Sequence, residues 1–96
     1  MNELQSRVNK ITNILSGEWP KPAKVLSSLQ TLSGMDITNL NQKKVNAIHK
    51  HLFLINKITS SYPAIVTENN YNSVSDKHLN EMLKNIQQLC LKLLID

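Results

Sequence analysis

The groups from which this 96-residue chain could build acid–base, nucleophilic or metal chemistry are three histidines, seven Asp or Glu and one cysteine. An enzyme needs several such groups to converge. His49 and His51 stand two apart, so on a helix they diverge, whereas metal ligands on one helical face sit three or four apart. They read as ordinary helix residues. His78 has only Met82 at the next turn, Cys90 falls on an apolar stripe and reads as a buried thiol, and no glycine-rich loop offers to cradle a phosphate. The expectation is a chain with no enzymatic activity, no metal and no cofactor.

Binding is the remaining class of chemistry. Residues 5–57 hold eight Lys or Arg against Glu18 and Asp36, a net +6, while the rest of the chain holds three against five, a net −2. A field of that sign favours acidic partners. Lys43, Lys44, Lys50 and Lys57 could line one helix and contact phosphates, but Arg7 is the only arginine and aromatic residues are few. Base readout and single-strand stacking lean on both. Nucleic-acid binding is expected to be at most weak and nonspecific. A second focus is the stretch SGEWPKP at 16–22, which carries one of two glycines, the only tryptophan and two of three prolines. It reads either as a turn or as a surface that something binds.

The elements that must position these groups follow from apolar spacing. Leu4, Val8, Ile11 and Leu15 share one face of a first helix over 3–15, with Asn2 suited to cap it and Gly17 to end it. Pro20 or Pro22 suits the first turn of a second helix, whose stripe Val25, Leu26, Leu29 and Leu32 stops at Ser33-Gly34. Asp36 or Thr38 is placed to cap a third helix carrying Leu40, Val45, Ile48, Leu52 and Ile55, ending near Ile58-Thr59. A short helix is predicted from about Pro63 to Asn69. After the loop-like 69–73, Ser75 or Asp76 caps the strongest pattern, Leu79, Met82, Leu83, Ile86, Leu89, Cys90 and Leu93.

No window alternates as a strand would, so the fold class predicted is all-α, a compact bundle of four or five helices and a single domain over 1–96. At 41% hydrophobic and 19% charged the chain has an ordered, globular composition. It is long enough to bury about 65% of its unfolded surface without staples. A lone cysteine makes no internal disulfide, and no apolar run reaches the ~18 residues of a membrane span. A soluble, intracellular chain with no membrane partner is expected.

The first three helices together resemble the TFIIS N-terminal domain superfamily, and within it the integrase-binding domain of the lens epithelium-derived growth factor and hepatoma-derived growth factor-related proteins. The likeness covers roughly residues 3–60. It is carried by Leu4-Gln5, by VLSSLQTLSGMDIT at 25–38 with Ile37-Thr38 at its turn, and by the succession Ile48, Leu52, Ile55, Ile58. The resemblance implies a nuclear, chromatin- or transcription-associated interaction module that docks disordered acidic segments presenting a phenylalanine. It implies a cleft between two loops, here Ser16–Lys21 and Lys57–Tyr62. Glu18 matches the family's acidic acceptor for partner N–H groups, Ile58 stands where the family keeps an aromatic wall, and Trp19 would restore that aromatic surface. Gly17 replaces an aliphatic contact, and Phe53, Leu54 and Asn56 replace much of a basic run that leaves Lys57. The partner-binding residues expected are Glu18, Trp19, Lys21, Lys57, Ile58 and Tyr62. The simpler alternatives are a solvated loop for Glu18, a core plug for Trp19 and plain surface for Lys57. A rival function is self-association as a homo-oligomer through Phe53, Leu54 and the 79–95 stripe.

Overall fold

The computed structural model of the chain describes residues 3–94. Its five helices are α1 (Glu3–Ser16), α2 (Lys21–Leu32), α3 (Gln42–Thr59), α4 (Pro63–Glu68) and α5 (Asp76–Leu94), and together they form an all-α bundle. The expected cap at Asn2 lies outside the described residues.

Helix α5 organises the rest because its apolar stripe is the longest. Leu79, Met82, Ile86, Leu89, Cys90 and Leu93 are all buried, with Leu83 packed at their edge. α1, α2 and α3 each pack on α5, whereas among the described residues neither α1 nor α2 packs on α3. The core is therefore one cluster centred on α5, with α1 and α2 to one side of it and α3 to the other. Burial pushes the Cys90 thiol up to about 11, so it stays protonated at neutral pH and packs as a small apolar group.

On one side of α5, α1 and α2 make an antiparallel hairpin built on Val8, Ile11, Val25 and Leu32. Its ends are tied by cations on orphan carbonyls: Arg7 Nη1 donates to Thr31 O at 2.7 Å and Ser33 O at 2.9 Å, and Lys24 Nζ donates to Leu15 O at 2.9 Å. Such groups at helix C-termini satisfy carbonyls that have no intrahelical donor. Gly34, at φ +73°, supplies the left-handed residue that closes α2. The buried line of α2 differs from the predicted stripe. Val25, Ser28 and Leu32 are buried while Leu26 and Leu29 are half-buried. The small Ser28 occupies the inward line, and the leucines pack to either side of it.

On the other side, α3 buries Ala47, Ile48, His51 and Ile55. Its cap is Asn41, whose Oδ1 accepts from Lys44 N at 2.9 Å, and neither of the two capping candidates serves. Asp36 instead accepts from both Thr38 N at 3.0 Å and Thr38 Oγ1 at 2.7 Å, bonds that hold its carboxyl below the usual range. That local turn competes with helix initiation and delays α3 to Gln42, leaving Leu40 to pack on the core from outside the helix. In the connection to α5, Tyr71 and Val74 are buried, although no periodicity marks them. Ser75 Oγ accepts from His78 N at 3.3 Å at the start of α5.

Candidate functional site

The loop at 17–20 is short because α1 ends at Ser16 and proline restarts a helix at once: Pro20 stands at the N-cap of α2 and Pro22 in its first turn. Neither Glu18 nor Trp19 is folded inward. Trp19 keeps 54% of its surface exposed, so it is no core plug, and Glu18 beside it is exposed. Lys21 fixes where the loop lies. Its Nζ meets Asp76 Oδ1 at 2.7 Å, joining the start of α2 to the first turn of α5. The Lys21 ammonium, with Asn80 adding a bond, holds the Asp76 carboxyl below the ordinary carboxylate range.

The second loop reaches the same turn from the opposite flank. Pro63 restarts the helix after Tyr62, and Tyr62 turns inward. Its hydroxyl hydrogen-bonds to Ser75 Oγ and Ser75 N, both at 3.3 Å, and to His78 Nδ1. The Tyr62 and His78 rings meet edge to face at 5.6 Å. Tyr62 is thus a latch between the α3–α4 corner and α5. Its polar end is engaged within the chain.

Lys57 and Ile58 lie on that flank as well, where they and Leu54, Ser61, His78, Glu81 and Asn85 line a groove of about 400 Å³ between α3 and α5. Ile58 packs partly on the core while Lys57 is exposed. On the other face of α5, Lys24 and Leu15 border a different hollow with Asn80, Leu83 and Lys84. The six sequence-predicted residues therefore gather at one end of the bundle but in two groups. Glu18, Trp19 and Lys21 stand on the α2 side, Lys57, Ile58 and Tyr62 on the α3 side, and the first turn of α5 stands between them. Asp76 and His78 are the residues that sequence reasoning left out of this end. Asp76 had a signal, an acid in a helix's first turn, which also suits the helix dipole.

Among the described residues, no three His, Cys, Asp or Glu side chains come together as a metal ion would require, and no helix is long and apolar enough to cross a membrane. Comparison with protein-family models, with curated proteins and with solved structures gives no match to this chain.

Proposed function

We propose that this chain is a protein-interaction module, nuclear and associated with chromatin or transcription, that docks short disordered acidic segments bearing a phenylalanine at the loop end of its bundle. The observation that carries the reading is the half-exposed Trp19 in a loop anchored on both sides, by α1 behind it and by the Lys21–Asp76 pair ahead. An exposed tryptophan is the kind of residue that dominates binding energy, because it offers large area at little entropic cost. Glu18 beside it offers a carboxylate to partner N–H groups. Across the α5 turn, Lys57 supplies charge for the partner's acids and Ile58 an apolar wall. Lys21 is already paired with Asp76, while Lys24, bonded to the neutral Leu15 carbonyl, keeps its charge and steers with Lys57.

The test is titration of an acidic, phenylalanine-bearing peptide into the isotope-labelled chain. Amide signals of 16–21 and 57–62 are expected to move together, and salt is expected to weaken binding only modestly. Trp19→Ala and Glu18→Gln should each weaken binding about tenfold with the melting temperature unchanged. Full affinity in both variants would reject the assignment. The second reading, self-association, is favoured by the exposure of Phe53 at 67% and Val66 at 69%. A concentration-dependent dimer in sedimentation that the peptide fails to dissociate would select it.

A further inference from the structure

We propose that the α3–α5 groove is a second docking surface, meeting the loop end at Lys57, which receives an acidic amphipathic helix of another protein laid along its length. The first observation is charge. α3 carries Lys43, Lys44, Lys50 and Lys57 and no carboxylate, and no Asp or Glu occurs anywhere from Ile37 to Thr67. Lys43 stands in the first turn of α3, where the helix dipole disfavours cations. A local cost of this kind, met by no acid on the same helix, marks a place where something other than stability sets the residue type.

The second observation is register. Lys43, Ala47 and Lys50 of α3 and Lys92 of α5 line a groove of about 410 Å³. Leu54 and Lys57 of α3 line the next groove with His78, Glu81 and Asn85 of α5. The two sets fall on the same edge of the helix pair, for Lys43, Lys50 and Lys57 are one heptad apart on α3, as are His78, Asn85 and Lys92 on α5. The helices run antiparallel, since Lys57 shares one groove with His78 and Lys43 shares the other with Lys92, with the His51–Asn85 bond between them. At 1.5 Å per residue the row of lysines extends about 21 Å. Beside the charges, Leu54 lines the groove at 37% exposure, Ala47 is buried beneath it, and Phe53, 67% exposed, stands one turn from Lys50 and Lys57 on the solvent side of α3.

Cations one heptad apart with apolar side chains beside them are the complement of a helix whose carboxylates recur every seven residues beside an apolar seam. A nucleic-acid backbone would use the lysines but would leave Phe53 and Leu54 uncovered. Arg7, the only guanidinium, is held on the carbonyls of Thr31 and Ser33 away from the groove.

The probe is a helical peptide of about three heptads with glutamates one heptad apart and leucines between them. Its comparators are the same peptide with lysine for glutamate and a duplex oligonucleotide, all measured by fluorescence anisotropy on the full 96-residue chain. Binding of the acidic peptide alone is expected. Lys50→Glu with Lys92→Glu should weaken it about tenfold, and Phe53→Ala with Leu54→Ala by a similar factor, while Trp19→Ala leaves it unchanged. Melting temperatures accompany each variant, and the milder Lys50→Gln with Lys92→Gln should move affinity in the same direction. No binding of the acidic peptide, or full affinity in the lysine variants, would overturn the proposal. So would a duplex that binds more tightly than the peptide and is indifferent to Phe53. Loss of binding in Trp19→Ala would place the helix at the loop end instead.

Discussion

Replacing Ile86 with alanine is expected to lower the stability of the chain by about 2–5 kcal/mol, the largest effect of any single change considered. Ile86 is fully buried, midway along α5, on the helix against which α1, α2 and α3 all pack. Truncation there leaves a cavity at the centre of the core, where α5 meets its three neighbours. No one neighbour can collapse into it without withdrawing from others, so relaxation should recover little of the loss. Denaturant unfolding measures the effect as a shift in midpoint. A loss below about 1 kcal/mol would mean that α5 is not the shared core helix. Leu29→Ala, at a half-buried position beside Ser28, should cost clearly less, and Lys84→Ala on the exposed face should stay within about 0.5 kcal/mol.

Asn85→Ala is expected to cost about 1–3 kcal/mol, because it orphans a ring that has no other polar partner. His51 is 2% exposed, and its Nδ1 lies 2.9 Å from Asn85 Oδ1. Asn85 Nδ2 donates to Glu81 O at 2.9 Å, which turns the amide oxygen toward the histidine and makes Nδ1 the donor. Nε2 is then a buried acceptor with no hydrogen-bond partner. Losing Asn85 would leave both ring nitrogens unsatisfied. The double replacement His51→Leu with Asn85→Leu removes both polar partners at once and should recover most of the stability lost by Asn85→Ala. Thermal unfolding of the two variants decides the matter. Equal stability of Asn85→Ala and the native chain would show that the pair contributes nothing.

The predicted stripe of α5 matches the buried face almost residue for residue, since a long amphipathic helix packed on several neighbours has one face it can bury. The second helix was legible as an element, but its inward line was displaced, because periodicity weighs leucines and overlooks a small polar residue such as Ser28. Capping was misread at the third helix for a physical reason. Asp36 and Asn41 are both good caps, and the Asp36–Thr38 turn engages the earlier one. Tyr71 and Val74 were not legible as core, since an irregular segment has no period to betray which side chains turn inward. At the loop end, the residue types drew notice to Tyr62 and Lys21, but their engagement with Ser75, His78 and Asp76 depends on segments far apart in sequence. The basic edge shared by α3 and α5 is of the same kind. Lys43 and Lys92 become neighbours only once the two helices are set antiparallel.

Because, among the described residues, α5 is the only helix that packs on both the α1–α2 hairpin and α3, the order in which the chain is made matters for how it folds. Synthesis delivers α1 to α4 first, and until Asp76–Leu94 follows, the hairpin and α3 have nothing in common to pack upon. Local helices can flicker in the emerging chain, but short helices without tertiary support are marginal in water. Vectorial synthesis therefore leaves this domain without its shared helix until late, and the faces of Val8, Ile11, Val25, Ile48 and Ile55 that pack on α5 wait uncovered until it emerges. Ribosome-arrested chains halted before Asp76 should accordingly be cut quickly by protease, and chains extended far enough to free α5 should resist it.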